Sequence, residues 1–353
     1  MMERTTLLDR VAESLLDLEY HAWRFGDSVA FQALVELSRV RGGEWGLGFA
    51  RGFVRGWAAS DRPLTRLDCT APGLAMVDIY RATGDDEVLR AALDLGLYLV
   101  ARPRIADVFA TWESSPLQRP YGGAALPPEE LVLLAEPPAG IFVDCLHFDP
   151  PFFAALGDVT GEQQWTDEAV RQALGYIAAL QGADGLFDHF VLEGSARSYG
   201  PGWGRGQGWA LLGLLDVIGL LPKGHDRRAD LVTSARTLSE AMIALQRRDG
   251  HWSAVVNDPE SGEESSTAAF MAYGLRRAHA LGVAPDTALE AAERALDAAV
   301  ASTDDAGRLL GVSAAVNACT AAEHYAHVPT GFVVPWGQGP LALALIERLA
   351  EEV

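Results

Sequence analysis

The sequence predicts an all-α fold, an (α/α)6 barrel made of six helical hairpins. Six runs that are apolar on nearly every side alternate with six amphipathic runs, in which apolar residues recur at three- and four-residue spacing. The apolar runs tend to end at a glycine, the residue that commonly closes a helix in the left-handed conformation. The 353 residues also divide into six units of about 59 residues, a length that suits two helices and a loop.

The runs follow one another in a regular order along the chain. The apolar runs begin near Asp27, Pro72, Pro150, Gln207, Ser266 and Gly337, and the amphipathic runs begin near Thr5, Glu44, Asp86, Gln164, Arg227 and Pro285. Helices that are apolar all round belong inside a two-layer structure, and one-faced helices belong outside. Because the chain starts with an outer run and ends with an inner run, its two ends complement each other. We therefore expect a closed ring, with an open helical solenoid as the alternative.

One segment, residues 102–140, departs from this alternation. Loops longer than about 15 residues in a compact domain are usually lids or binding loops. We expect a single barrel domain over residues 1–353 with one long inserted loop at about 102–140.

Composition excludes several classes of function. The net charge of -20 without any basic run argues against nucleic-acid binding, although a cleft can still be locally positive for a small anionic substrate. No run reaches the roughly 18 apolar residues of a membrane span, and the N-terminus does not read as a signal peptide. Cys69, Cys145 and Cys319 form neither a disulfide framework nor a metal spacing, which predicts a cytoplasmic protein. The oligomeric state stays open, with a homo-oligomer among the alternatives.

Short polar and aromatic segments precede five of the inner helices at equivalent places. These segments are LDC (67–69), VDC (143–145), WGRGQGW (203–209), EESST (263–267) and WGQG (336–339). Equivalent places in the repeats lie at one end of a barrel, so the sequence predicts a single mouth. Its side chains would be Asp68, Asp144, Trp203, Arg205, Trp209, Glu264 and Trp336.

Two aspartates at this mouth suggest acid and base chemistry. Two carboxyl groups across an aromatic cavity suit glycoside cleavage, since one donates a proton while the other stays ionised. The alternative is that each aspartate caps a helix. Asp149 precedes Pro150 and is the expected cap of its helix, which frees Asp144 for chemistry. For Asp68, the capping and catalytic interpretations both stay open.

The glycine-rich stretch provides the expected binding residues. The flat faces of Trp203 and Trp209 suit sugar rings, and the planar fork of Arg205 matches a carboxylate. The four glycines at 202, 204, 206 and 208 would let the backbone approach a ligand, although the tryptophans could instead simply plug the mouth. His189 is a further binding candidate and His147 a weaker one, each with a structural role as its alternative. No histidine and cysteine spacing supports a metal site.

The motif WGRGQGW resembles the WGRGNGW signature of glycoside hydrolase families 88 and 105. The segments LDCTAPGLAMVDIYRATGDDEVLRAA, IFVDCLHFDPPFFAALGDVTG, ESSTAAFMAYGL and WGQGPLALAL extend the resemblance from about residue 20 to the C-terminus. The resemblance implies an (α/α)6 barrel without a metal or organic cofactor. It also implies an oligosaccharide substrate with a 4,5-unsaturated uronic acid at its nonreducing end.

By the same resemblance, Asp144 would protonate C4 and then take a proton from the water that adds at C5, and Asp68 would position substrate or water. His189, Trp203, Arg205 and Trp209 fall on positions that line the site around the uronate.

Two departures from the family pattern are visible. Gln207 replaces the usual asparagine, and residues 103–143 contain no histidine ahead of Asp144. Three other functions stay open: an inverting glycosidase with Asp144 and Asp68 about 6.5 to 9.5 Å apart, a sugar isomerase or epimerase with two histidines facing the cavity, and a noncatalytic carbohydrate-binding barrel.

Overall fold

The computed structural model describes residues 4–21, 25–43, 45–60 and 73–351. Asp68 and Cys69 lie outside the described residues. The helices are α1 (Arg4–Leu16), α2 (Asp27–Arg41), α3 (Trp45–Ala58), α4 (Gly73–Thr83), α5 (Asp86–Val100), α6 (Pro128–Ala135), α7 (Cys145–Thr160), α8 (Gln163–Leu180), α9 (Gly204–Leu220), α10 (Arg228–Leu245), α11 (Ser265–Ala280), α12 (Thr287–Ala301), α13 (Glu323–Ala326) and α14 (Pro335–Ala350).

Six of these helices form a closed inner ring in the described part of the chain. Helices α2, α4, α7, α9, α11 and α14 each pack against the next, and α14 packs back against α2. The outer layer consists of α1, α3, α5, α8, α10 and α12, and α1 leans on α14 across the closure. The predicted (α/α)6 barrel is confirmed, and the open solenoid is wrong because the last inner helix meets the first. The single-domain organisation of residues 1–353 stays a prediction.

Glycines let the inner helices approach one another closely. A Cβ on Gly213 of α9 would lie 2.0 Å from the carbonyl oxygen of Leu146 on α7. A Cβ on Gly339 of α14 would lie 2.9 Å from the amide nitrogen of Ala30 on α2, at the closure of the ring. Real Cβ atoms do not come this near to backbone, so these contacts require glycine.

The same turn sequence, Gln-x-x-Asp-Gly, follows the outer helices α8 and α10 and is held in the same way in both repeats. The Gln181 side-chain amide donates to the carbonyl of Gly185 at 3.0 Å and to that of Ser234 at 3.2 Å. Gln246 donates to Gly250 and to Ala291, both at 3.0 Å. A half-buried side-chain amide thus ties each turn to the next outer helix, which explains why the same turn recurs.

Seven short strands accompany the helices among the described residues. They are β1 (Arg104–Ile105), β2 (Val108–Phe109), β3 (Gly140–Phe142), β4 (Phe190–Leu192), β5 (Ser198–Tyr199), β6 (Val312–Ser313) and β7 (Thr330–Phe332). All pairs are antiparallel, and β3, β4 and β5 form one sheet. Strands of two or three residues carry no detectable alternation of apolar and polar residues, so the sequence did not predict them.

Residues 102–140, called here the inserted segment, have structure of their own. The segment contains the hairpin of β1 and β2, a short 3-10 helix (Tyr121–Gly123) and α6. The hairpin turns at Ala106 and Asp107, both with positive φ, and Arg104 forms a two-pronged ion pair with Glu168 of α8 at 2.9 and 3.0 Å. The inserted segment thus has secondary structure of its own and is attached to the outer layer by the ion pair of Arg104 with Glu168.

Four inner helices, α7, α9, α11 and α14, begin earlier than predicted, and α7 shows the largest difference. Helix α7 begins at Cys145 and includes Pro150, so Asp149 lies inside the helix and is not its cap. The first turn is tight, with the amide of His147 donating to the Asp144 carbonyl at 3.0 Å. Pro150 and Pro151 lie inside α7, beyond its first turn, so they do not mark the helix start. None of the described helices is both long and apolar enough to cross a membrane.

Replacement of Gly213 by alanine should separate α7 from α9. We expect Gly213→Ala to lower the free energy of unfolding by about 3 kcal/mol, because the new methyl group meets the backbone of Leu146. Gly219→Ala on the same helix is the matched control, since no described atom lies within 4 Å of its new Cβ, and it should be neutral or slightly stabilising. Urea denaturation followed by circular dichroism measures both, and similar losses in the two variants would contradict the close helix approach.

Candidate functional site

A cavity of about 440 Å³ opens at the end of the barrel where the inner helices begin. Its lining combines aromatic side chains, a carboxyl group, an imidazole and a guanidinium: Phe25, Trp112, Pro116, Phe142, Asp144, His189, Trp203, Arg205, Val316, Asn317 and Ala318. Phe25 precedes α2, Asp144 precedes α7 and Trp203 precedes α9, so the predicted convergence of helix starts on one mouth is seen for these three repeats. Aromatic side chains with a few convergent charged groups are the composition of a small-molecule site.

The small sheet brings Asp144 and His189 together. Phe142 at the end of β3 pairs with Phe190 at the start of β4, and the amide of Val143 continues the ladder by donating to the His189 carbonyl at 2.8 Å. Asp144, two residues after Phe142, therefore lies beside His189, one residue before Phe190. His189 Nε2 lies 3.5 Å from Asp144 Oδ2.

The Asp144 carboxyl group is buried but incompletely partnered. The residue is 6% exposed, and its Oδ2 accepts no hydrogen bond from any described residue. It stands at the start of α7 without using its side chain as a cap. A buried oxygen without a hydrogen bond costs free energy unless a ligand or water supplies the donor. This argues for a carboxyl group that serves a ligand and against a structural helix cap.

His189 is fixed on its other side by a residue that the sequence did not single out. Its Nδ1 lies 2.7 Å from the hydroxyl oxygen of Tyr325, which is buried in α13. The His189 ring also packs against Trp203, with ring centroids 4.4 Å apart. Tyr325 lies 136 residues from His189 along the chain, in a helix of four residues, so no periodicity marked it.

Arg205 lines the cavity, but most of its fork is paired within the protein. Its Nη1 donates to Ser313 Oγ at 2.6 Å and lies 3.3 Å from Glu264 Oε1, and its Nη2 donates to the Ala314 carbonyl at 3.0 Å. Burial lowers the pKa of Arg205, and the carboxylates of Glu264 and Asp144 oppose this effect. Only Nε has no hydrogen-bond partner among the described residues. The predicted free fork is therefore corrected to a guanidinium that is held in place and has one donor to spare.

Glu264 is the group that holds Arg205. It caps α11 by accepting from the amide of Thr267 at 3.2 Å, and it accepts from Ser266 Oγ at 2.7 Å and from the amide of Ser313 at 2.9 Å. The residue is 3% exposed. Its carboxylate thus joins the starts of α9 and α11 to β6.

Three predicted site residues lie behind the cavity wall in the described structure. Trp209 is fully buried and packs against Phe270 and His147, with ring centroids 4.6 and 5.1 Å apart. Trp336 stacks on Phe25 at 4.9 Å, and its indole nitrogen donates to the Ser313 carbonyl at 3.0 Å. The expectation that Trp209 and Trp336 face the ligand is corrected, because α9 and α14 begin early enough to turn these rings into the barrel.

His147 belongs to the same buried layer. The residue is 2% exposed, and its Nδ1 lies 3.9 Å from Asp216 Oδ2. Burial lowers the pKa of His147 to about 4, an effect that Asp216 partly opposes and Arg277 adds to. The geometry therefore favours a structural role for His147 over a role in ligand binding.

The glycines of the motif also have a structural explanation. Gly204, Gly206 and Gly208 lie inside the first turns of α9. A Cβ on Gly204 would come within 2.6 Å of Thr267, and one on Gly208 within 2.5 Å of Phe270. The expectation that these glycines admit a ligand to the backbone is corrected: Gly204 and Gly208 admit the neighbouring helix α11, Gly206 lies against Trp203, and Gly202 lies against Asn257.

A second cavity of about 860 Å³ adjoins the first. The two linings share Trp203 and Val316, so the cavities lie side by side at the barrel mouth, and the pair is called here the groove. Ser261, Glu263, Tyr325, His327 and Thr330 also line the second cavity. In the described part of the chain, no group of three or more His, Cys, Asp or Glu side chains is placed to hold a metal ion.

Comparisons with known proteins agree with this geometry. The family model described as Glycosyl Hydrolase Family 88 matches residues 4–351. The unsaturated rhamnogalacturonyl hydrolase YesR of Bacillus subtilis is 24% identical over 345 residues, which cover 97% of this chain and 93% of that protein.

Two solved structures resemble the fold along nearly the whole chain. A family 105 glycoside hydrolase of C. acetobutylicum superposes with a TM-score of 0.81 at 19% identity, covering 97% of this chain and 99% of the other. The unsaturated glucuronyl hydrolase of Bacillus sp. GL1 gives a TM-score of 0.74 at 19% identity, with coverages of 99% and 96%.

Loss of the Glu264 charge should destabilise the folded protein. We expect Glu264→Gln to lower the free energy of unfolding by about 3 kcal/mol, because it leaves the Arg205 guanidinium buried without its counter-charge. Glu263→Gln is the matched control, since that side chain is 44% exposed and its ion pairs are long, and it should cost less than about 1 kcal/mol. Urea denaturation measures the free energy of unfolding of both variants. Equal losses would show that the buried Arg205–Glu264 pair stabilises the fold no more than the ion pairs of Glu263 do.

The buried His147 should make stability depend on pH. Its folded pKa of about 4 lies below the ordinary value of 6.5, so its contribution is present above pH 6.5 and is lost as the pH falls towards 4. Between pH 7 and pH 4 the wild-type protein should lose on the order of 3 kcal/mol more than His147→Phe. Urea unfolding at several pH values measures the difference, and parallel stability curves for the two proteins would refute it.

Proposed function

Because the chain belongs to Glycosyl Hydrolase Family 88, we propose that it removes a 4,5-unsaturated uronic acid from the nonreducing end of oligosaccharides. The reaction is hydration of the C4–C5 double bond, with Asp144 as general acid and base. The relatives named as unsaturated rhamnogalacturonyl and glucuronyl hydrolases support this substrate class. The observation that carries the proposal is the Asp144 carboxyl group, which lines the cavity and has one oxygen unpaired among the described residues.

The proposed reaction uses one proton-transferring group twice. Asp144 in its acid form gives a proton to C4, and the positive charge that develops at C5 is shared with the ring oxygen. Water adds at C5 and returns a proton to Asp144, which restores the acid. The resulting hemiketal opens, and the hemiacetal left at C1 then releases the next sugar as an alcohol. One water is consumed, and the enzyme ends as it began.

The other cavity side chains have binding roles in this proposal. Trp203 offers a flat face to the sugar ring, and the spare Nε donor of Arg205 offers a contact for the substrate carboxylate. His189 lies beside the reacting carboxyl group and orients it. Asp68 would position substrate or water, which the family resemblance implies.

The groove suggests how an oligosaccharide would lie. Trp112 and Pro116 of the inserted segment line the first cavity, and the second cavity continues from it past Trp203. We place the unsaturated uronate in the first cavity and the leaving sugar in the second. We also propose that the enzyme acts in the cytoplasm, since the spacing of the three cysteines in the sequence fits neither a disulfide framework nor a metal site.

Asp144→Asn should abolish turnover of unsaturated disaccharides. The amide cannot donate a carboxylic proton to C4, so we expect kcat to fall by about a thousandfold or more. Asp158→Asn, the same change at the exposed far end of the same helix, is the matched control and should keep wild-type kcat. The loss of ultraviolet absorbance of the double bond follows the reaction, with lyase-generated glucuronyl and galacturonyl disaccharides as substrates.

Saturated disaccharides of the same sugars separate hydration from direct displacement at the anomeric carbon. The proposal requires that they are not cleaved, since they have no double bond to protonate. Cleavage of the saturated substrates, or an active Asp144→Asn variant, would overturn it.

A further inference from the structure

Three buried side chains form a connected chain at the wall of the first cavity. Tyr325, His189 and Asp144 are 2%, 4% and 6% exposed. The Tyr325 hydroxyl lies 2.7 Å from His189 Nδ1, and His189 Nε2 lies 3.5 Å from Asp144 Oδ2. The hydrogen bonds of the Tyr325 hydroxyl among the described residues are to His189 and Cys319, so its contact with Asp144 runs through the imidazole.

The proton of the Tyr325 hydroxyl decides which imidazole nitrogen carries hydrogen. The hydroxyl has two acceptors within reach, His189 Nδ1 at 2.7 Å and the Cys319 carbonyl at 3.5 Å; because the carbonyl contact is at the limit of a hydrogen bond, we assign the hydroxyl proton to Nδ1. Burial raises the pKa of Tyr325 well above its ordinary value, so the hydroxyl keeps its proton. A hydroxyl that donates to Nδ1 leaves the hydrogen of the neutral ring on Nε2, which faces Asp144.

Tyr325 is held in place by its neighbour His324. The Nε2 of His324 donates to the Val316 carbonyl at 2.8 Å, because a carbonyl only accepts, and Nδ1 is therefore the acceptor. That acceptor receives the backbone amide of Tyr121 at 3.1 Å, and the two rings stack with centroids 4.9 Å apart. Burial lowers the pKa of His324, which favours the neutral ring that this pattern needs.

The inserted segment contacts the same region at two further points. The backbone amide of Gln118 donates to the Ala318 carbonyl at 3.0 Å, and Thr320 Oγ1 donates to Glu130 Oε2 at 2.6 Å. Glu130 belongs to α6 and is 7% exposed. These two hydrogen bonds attach residues 314–322, which connect β6 to α13, to the inserted segment.

We propose that Tyr325 is a positioning residue that holds His189 with its Nε2 hydrogen towards Asp144, and that the inserted segment keeps Tyr325 in place. The catalytic part of this inference rests on the proposed function, whereas the state of the imidazole does not. In the structure Nε2 lies 3.5 Å from Asp144 Oδ2, which accepts no hydrogen bond from a described residue; once Asp144 has given its proton to C4, its carboxylate attracts the Nε2 hydrogen, and this contact steadies it. His189 gains and loses no proton over the cycle, and Asp144 recovers its proton from the water.

Tyr325→Phe removes the hydroxyl and keeps the ring. We expect kcat for an unsaturated disaccharide to fall about tenfold, which is the effect of one lost hydrogen bond, while KM changes by less than about twofold. Tyr199→Phe is the matched control: Tyr199 is also buried and next to His189 in the sheet, but its hydroxyl lies 3.5 Å from Ser195 and away from the imidazole. Equal kcat values for wild type and Tyr325→Phe would overturn the proposal.

Nitrogen NMR of histidine-labelled protein reads the imidazole without any substrate. The His189 signals, identified by their loss in His189→Gln, should show hydrogen on Nε2 in the wild type and a shift of hydrogen towards Nδ1 in Tyr325→Phe. Unchanged signals in the variant would refute the positioning role. If the wild type turns over no unsaturated disaccharide but the signals shift as expected, the proposed function fails and the positioning of His189 stands.

Tyr121→Ala tests the contribution of the inserted segment. Loss of the ring that stacks on His324 should lower kcat in the same direction as Tyr325→Phe, by about threefold, with the His189 signals shifted partway. Wild-type kcat and signals in this variant would show that the inserted segment does not hold Tyr325.

Discussion

Closure of the inner ring is the constraint on which the rest of the structure depends. Helix α14 packs against α2, and the bare backbone of Gly339 against Ala30 makes this contact close. Once the ring is closed, parallel inner helices present their first turns at the same end. Side chains that lie far apart in the chain, such as Phe25, Asp144 and Trp203, then line one cavity. The site is thus a consequence of helix packing more than of any local motif.

The charged groups at the barrel mouth have different roles. The Arg205 guanidinium is neutralised by Glu264 and hydrogen-bonded to β6, so it is fixed before any ligand arrives. Asp144 has the opposite arrangement, with one oxygen that no described residue satisfies. A buried site in which donors are fixed in advance and one carboxyl group is left free favours proton transfer to a bound ligand, since little reorganisation is needed at the moment of reaction.

The helices bring the site residues to one end of the barrel, and the strands and the inserted segment set the spacing between their side chains. The β3 and β4 pair sets the spacing of Asp144 and His189, and the inserted segment supports the helix that carries Tyr325. These elements lie outside the repeated hairpins. Variation in them could change the substrate preference of such a barrel without disturbing the ring itself.

The sequence by itself determined the six-fold alternation of inner and outer helices and the end of the barrel at which Asp144, Trp203, Arg205 and Glu264 meet. Helix periodicity and helix starts are local properties, so they can be read from residue spacing. Only the tertiary structure decided that Trp203 faces the cavity while Trp209 faces the core, that Arg205 pairs with Glu264, and that Tyr325 reaches His189. Each of these depends on where a helix begins to within one turn and on contacts between residues distant in the chain, and local spacing contains neither.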